Sequence, residues 1–302
     1  MRATHRFRAC NGGAQARCAD SRLSVTLTPM NRTTLTLALA SAVALTLSLD
    51  AQTRRPAAAR PSPAKPTAAA TPKTERPVPF RAGEVLTYDV SWSSYVTAGT
   101  ATFTVKEKKP SFGSTAYYVI AEGKPTPLLS KLYSIYYKAD SLLDAYSLLP
   151  QRGSVYSDEN GRKRIKTTSF NQGAKSATYE VQTATLVKKP VSIAPFTQDA
   201  LSAIYVLRAI PLKPGGSMAM PVSDSGKMYK VQVKVGSVEP VKTALGTINA
   251  VRVSPTITDM AGKPQNTRGL ALWISDDARR LPVKMQAEVA VGSFNLTLRE
   301  AR

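Results

Sequence analysis

Tyr229-Lys230-Val231-Gln232-Val233-Lys234-Val235 alternates apolar and polar residues without a break. A period of two puts every second side chain on one face of a strand, so this stretch is a half-buried β-strand with a dry Tyr/Val face and a wet Lys/Gln face. The pattern returns in Val283-Lys284-Met285-Gln286-Ala287-Glu288-Val289 and in Phe294-Asn295-Leu296-Thr297-Leu298-Arg299. Weaker alternation marks strands near residues 85–92, 101–107, 117–122, 165–170, 177–181, 248–253 and 270–274. One polar face throughout points to antiparallel strands, since parallel sheets are covered on both sides. The expected fold is mainly β, a curved antiparallel sheet of half-barrel or sandwich-like form.

One long helix interrupts this pattern at residues 198–210, with Thr197 as its expected N-cap, Asp199 in its first turn and Pro211 as its stop. Leu201, Ile204, Tyr205, Leu207 and Ile210 leave it little polar circumference, so it must be covered, most simply by the inner, dry face of the sheet. Residues 128–137 fit a second short helix, and their tyrosines also fit a strand.

Leu142-x-Asp144-x-x-x-x-Leu149-Pro150 recurs as Ile274-x-Asp276-x-x-x-x-Leu281-Pro282, and Ala98-Gly99-Thr100 is echoed by Leu245-Gly246-Thr247. The echo suggests two similar halves flanking the helix. The ordinary preference for Asp and Pro around hairpins accounts for it equally well.

Ahead of the β-rich part, residues 30–51 have the layout of a cleavable secretory signal. Asn31 and Arg32 form a basic start, residues 35–49 are uncharged, and Ala51 is a small residue suited to cleavage. The uncharged run is at the short limit for a membrane-spanning helix, the competing reading. Residues 1–29 then read as a mis-called start, and the exported chain would lose His5, Cys10 and Cys18, its only His and Cys. Residues 52–79, rich in Pro, Ala, Arg and Lys, read as a disordered basic linker. Residues 80–302 form the expected β-rich domain, and the expected location is periplasmic or extracellular.

The formal charge of +21 extends into that domain, where residues 80–302 carry 29 Lys/Arg against 17 Asp/Glu. Nucleic acid is not an expected partner of an exported chain without a recognition motif. The densest cluster, Arg162, Lys163, Arg164 and Lys166, follows Asn160-Gly161, a two-residue hairpin signal. Solvated strand-edge charges explain it, and so does attraction to an anionic envelope surface.

The order of motifs resembles an exported bacterial family, domain of unknown function 3108. The resemblance rests on Phe80-Arg81-Ala82-Gly83-Glu84-x-Leu86-x-Tyr88, Ala98-Gly99, and Asp140-Ser141-x-x-Asp144 followed by Leu149-Pro150. It continues in Asp199-Ala200-Leu201-Ser202-Ala203-x-Tyr205-x-Leu207-Arg208, Pro211-Leu212-x-x-Gly215 and Trp273-Ile274-Ser275-Asp276-Asp277-x-x-Arg280-x-Pro282-Val283. The resemblance implies secretion and a largely antiparallel β-fold, with no assigned activity and no catalytic residues.

Without His or Cys, triads, thiol nucleophiles and zinc sites are unavailable to the exported chain, and no phosphate-binding glycine loop appears. No enzyme activity, metal or cofactor is expected. A carboxylate pair such as Asp144 with Asp276 is what a glycosidase would need. The simpler reading makes Asp144, Asp199 and Asp276 structural acceptors of backbone N–H groups in turns and caps. Arg208, on an otherwise apolar helix, is expected either to pair with a buried carboxylate such as Asp140 or Asp144, or to hold an anionic head group. Trp92, Tyr205, Trp273 and Phe294 are expected to converge with Arg208 on a pocket between sheet and helix that takes an apolar or amphipathic small molecule or lipid. The competing readings are a module docking to wall or membrane through its basic face and, less favoured, a carboxylate-dependent hydrolase. Oligomeric state is left open.

Overall fold

The computed structural model describes residues 73–93, 96–132, 134–265, 269–289 and 292–302. The expected start at 1–29, the signal at 30–51 and residues 52–72 of the linker lie outside the described residues. Strands β1 (Val85–Trp92), β2 (Val96–Ser111) and β3 (Ser114–Pro125) lead into a short helix, α1 (Pro127–Leu132). Then come β4 (Ile135–Asp144), β5 (Pro150–Glu159), β6 (Arg162–Asn171), β7 (Ser176–Gln182) and β8 (Leu186–Ser192). Helix α2 (Ala200–Ala209) is followed by β9 (Ser217–Asp224), β10 (Lys227–Thr243), β11 (Gly246–Asp259), β12 (Ala271–Ser275), β13 (Pro282–Val289) and β14 (Gly292–Ala301).

All fourteen strands form one antiparallel sheet in the order β8-β7-β6-β5-β4-β3-β2-β1-β14-β13-β12-β11-β10-β9. The first and last strands therefore pair in its interior, and α2 joins its two edges. The sheet curls until those edges approach. Lys166 Nζ on β6 donates to Ser225 Oγ in the β9–β10 turn at 3.2 Å, and Lys189 Nζ on β8 donates to the Gly226 carbonyl at 3.3 Å. A Cβ added at Gly226 would come within 2.7 Å of the Tyr179 ring on β7. Contacts of this kind close the seam without a ladder, so the sheet is rolled but open. Both edge strands contain a proline, Pro190 in β8 and Pro221 in β9, where a missing N–H costs no ladder bond and discourages pairing with another chain.

The core lies on the inner face, beside α2. Leu201 and Tyr205 pack with Leu86, Tyr88, Val105, Val119 and Leu143, and Leu207 packs with the Val-rich faces of β10 and β11. Edge-to-face ring contacts join Phe80 to Tyr117 and Tyr205 at 5.3 and 5.0 Å. The end of the expected linker also belongs here: Arg76 N donates to the Ala145 carbonyl at 3.2 Å and Val78 packs on the core. The ordered domain thus begins before Phe80.

Several boundaries shift for local reasons. Asp199, not Thr197, caps α2: Asp199 Oδ1 accepts from Ser202 N at 2.7 Å, and Ser202 Oγ accepts from Asp199 N at 2.9 Å, a reciprocal pair that fixes the first turn. The Thr197 hydroxyl instead donates to the Ala194 carbonyl at 2.6 Å. Residues 128–137 divide between α1 and β4. The basic run on β6 lies between β5 and β7, not at an edge.

The two Asp/Pro echoes are both hairpin turns, β4–β5 and β12–β13, each with a β-bulge beside it. Each also carries a left-handed residue two places before the proline, Leu148 at φ 59° and Arg280 at φ 49°. The glycine echo is coincidental. Gly99 lies within β2, whereas Gly246 begins β11 with φ +100° at a turn.

Candidate functional site

The end of the inner face away from α2 is not filled. Directly paired residues of an antiparallel ladder share a face, and the rows Val90–Gly99–Pro125 and Tyr88–Ala101–Gly123–Tyr137 continue the face that buries Tyr88. Those rows hold two glycines and an alanine where the α2 end holds Phe103, Tyr117 and Leu143. Gly99 is required by geometry, because a Cβ there would lie 2.1 Å from the Lys124 carbonyl oxygen. Gly123 differs: its φ is not in the left-handed region, and an added Cβ would meet nothing within 4 Å. The result is a groove of about 440 Å³, walled by Val90, Leu129, Ile135, Tyr137 and Phe294. Beyond these walls, large apolar side chains face solvent: Leu128 is 71% exposed, Val96 48% and Trp92 39%.

The same register sets the charge beside the groove. Ile135, Glu159 and Arg162 form one cross-strand row, and Tyr137, Ser157 and Arg164 the next. Arg162 and Arg164 therefore point to the groove side of the sheet, while Lys163 points outward opposite Asp158. The Tyr137 hydroxyl donates to the Glu159 carboxylate.

The expected site residues do not converge. Phe294 walls the groove and Trp92 is its direct ladder partner. Tyr205 is 1% exposed within the aromatic core. Arg208, also 1% exposed, makes a bidentate pair with Glu84, Nη1 to Oε1 at 2.6 Å and Nη2 to Oε2 at 2.9 Å. Its Nε donates to the Arg280 carbonyl at 3.0 Å, and its guanidinium lies 5.3 and 5.5 Å from the Phe80 and Tyr205 ring centres. Buried and paired in this way, it is part of the core and does not face the groove. The expected partners of Arg208 are engaged elsewhere: Asp140 faces Arg152 at 3.5 Å, and Asp144 is committed to its turn.

Trp273 stands on the opposite face of the sheet from Leu272 and Ile274, which pack with Leu207. It lies in the row Arg252–Trp273–Lys284, with both cations over its ring at 5.4 and 4.7 Å, and its indole N–H donates to Glu239. Strict alternation along β12 puts it there, and the far half of β10 reaches over it. Its sequence neighbours gave no sign of this because β12 is buried on both faces.

The aspartates are structural, with one displacement. Asp144 accepts from Ser114 Oγ at 2.6 Å, from Ser147 N at 2.8 Å and from Tyr146 N at 3.1 Å. Burial would raise its pKa, but these bonds outweigh it and hold the carboxyl below its ordinary range. In the second turn Asp277, not Asp276, does this work, accepting from Ser275 Oγ at 2.7 Å, Arg280 N at 3.0 Å and Arg279 N at 3.1 Å. A cavity that touches α2 is small, about 70 Å³, well below the size of a small-molecule site, and mixes Asp199, Lys166 and Ser223 with Val155, Tyr179 and Leu201. Asp199 is held above the usual carboxylate range by burial, opposed by its bonds to Ser202 and Ser141. Among the described residues no group of three or more His, Cys, Asp or Glu is arranged to hold a metal ion, and no helix is long and apolar enough to cross a membrane.

Solved structures with a similar arrangement include a β-barrel-like protein of domain of unknown function DUF1849 from Brucella abortus, with a TM-score of 0.47 and 10% identity over 73% of this chain and 97% of that one. A proposed exported protein with a YmcC-like fold from Bacteroides fragilis gives 0.29 and 12% over 76% and 100%. A proposed lipoprotein from Parabacteroides distasonis gives 0.33 and 8% over 76% and 100%. No curated protein matches the chain significantly. Residues 87–299, from the first strand to the last, match the model of the protein family of unknown function DUF3108, and the chain belongs to that family.

Proposed function

We propose that this is an exported, non-enzymatic envelope protein that receives the apolar part of an amphipathic ligand in the groove between β1–β4, β14 and α1. The observation that carries the reading is the groove itself. Its volume of about 440 Å³ falls in the range of small-molecule sites, roughly 300–1,000 Å³. Its walls are apolar and its floor lacks side chains at Gly99 and Gly123. Packed interiors do not leave such space where a side chain fits without strain, and Gly123 costs strand stability for no conformational reason. Export is supported by the signal-like residues 30–51.

Gly123→Leu tests this reading. The leucine would occupy the groove, so binding of a fluorescent fatty acid to the full chain should fall at least tenfold, while the melting temperature stays level or rises. Unchanged binding in the variant, or none by the parent, would remove the groove from the account and favour a docking module.

A further inference from the structure

Resting on the groove reading, we infer that its occupant is an anionic amphiphile whose carboxylate or phosphate head group is held by Arg164 and Arg162. These arginines lie on the inner face because β6 pairs residue for residue with β5, and Arg164 shares a row with Ser157 and the groove-wall Tyr137. Two strand spacings separate the backbones of Tyr137 and Arg164, about 10 Å. A chain leaving the groove past Tyr137 would meet the guanidinium there.

The charges on this face are unbalanced. Arg162, Arg164 and Lys166 alternate along one side of one interior strand, so like charges sit about 7 Å apart on the same surface. Repulsion of this kind is unfavourable unless an anion joins them. Lys166 is occupied with Ser225 at 3.2 Å. Glu159, opposite Arg162 and also receiving the Tyr137 hydroxyl, sets one negative charge against these three positive ones, so the face keeps an excess of two. Arg162 and Arg164 are exposed and take part in no ion pair among the described residues. Two planar donor forks side by side suit the oxygens of a carboxylate or phosphate better than a choline or hydroxyl head group. Lys163, facing outward opposite Asp158, is not part of this row of cations.

The experiment compares the full chain with the Arg162→Gln/Arg164→Gln double variant, using a fluorescent long-chain fatty acid and the corresponding fatty alcohol. The parent should bind the acid at least tenfold more tightly than the alcohol. The double variant should lose that preference while holding the alcohol within twofold, because both side chains are exposed and folding does not depend on them. Displacement of the bound acid by lysophosphatidic acid, by palmitate or by both identifies the head group as phosphate, carboxylate or either; lysophosphatidylcholine should displace it poorly. Equal binding of acid and alcohol by the parent, or an acid preference that survives in the double variant, overturns the assignment while leaving the groove intact. Binding of neither probe overturns the groove and the head-group site together.

Discussion

The two ends of one sheet have been finished differently. At the α2 end the inner face of β1–β4 carries Leu86, Phe103, Tyr117 and Leu143, and Phe80 and Tyr205 stack into the remaining space. Two to six residues along the same strands, that face carries Gly99, Ala101 and Gly123, and a groove remains. The alternation is equally regular at both ends, so periodicity alone does not distinguish core from cavity. Side-chain volume does: large residues on every strand of a row make a core, and small residues on its central strands flanked by large ones make a groove.

The contrast can be broken most severely at the packed end. Arg208 and Glu84 are a buried pair, with side chains 1% and 12% exposed. Removing one partner strands the other charge, which typically costs about 3–5 kcal/mol. Glu84→Ala should therefore cause a destabilisation of that order in chemical denaturation, while fatty acid binding by the fraction still folded is unchanged. A loss of binding matched by little loss of stability would mean the pair serves the ligand instead.

A matched truncation sharpens the same contrast. Tyr205→Ala empties a filled site and should cost about 3–5 kcal/mol, as large aromatic deletions in cores do. Phe294→Ala, at the half-buried groove wall, should cost about 1 kcal/mol and weaken ligand uptake several-fold. Denaturation midpoints and titrations on both variants decide it: equal destabilisation would show that the groove end is as tightly packed as the core.

Much of this architecture is legible in the sequence, and what is not has definable causes. Val85–Trp92 appears at its observed limits although its alternation is weaker than that of β10, because Leu86, Tyr88, Val90 and Trp92 still recur at every second position. Strand β5, Pro-Gln-Arg-Gly-Ser-Val-Tyr-Ser-Asp-Glu, has no alternation to see, and the edge strands β8 and β9 each contain a proline that argues against a strand. Arg208 is recognisable as a costly buried charge, but its partner Glu84 lies 124 residues away, a pairing only the rolled sheet creates. The aromatic residues draw attention as candidate ligand contacts, yet two of the four, Tyr205 and Trp273, are structural. The informative residues at the groove are glycines. A glycine inside a strand signals a bulge, a close approach or an opening, and only the register separates Gly99, which is forced, from Gly123, which is free.

The smallest effect concerns the join between the two ends, where Asp199 caps α2 beneath β4. Its carboxylate accepts from Ser202 N and from Ser141 Oγ, both at 2.7 Å, and Gly153 leaves room for it: a Cβ there would lie 2.8 Å from Oδ2. Burial holds the folded pKa above the ordinary value despite these bonds. The folded state therefore binds more protons than the unfolded chain between the unfolded pKa, about 3.9, and the raised folded one. Stability from this group consequently falls as pH rises through that window and is flat above it. Asp144, held low, acts in the opposite sense: its contribution is lost as pH falls through its depressed pKa. Asp199→Asn keeps the cap, since Asn and Asp rank together at N-caps, and lets the Ser141 hydroxyl accept instead of donate. The variant should change stability at neutral pH by less than about 1 kcal/mol, while its stability declines less than the parent's as pH rises from about 4. Denaturation midpoints of both proteins across that range test the assignment. Parallel curves would show that Asp199 is ionised throughout, held by its hydrogen bonds more strongly than burial opposes them.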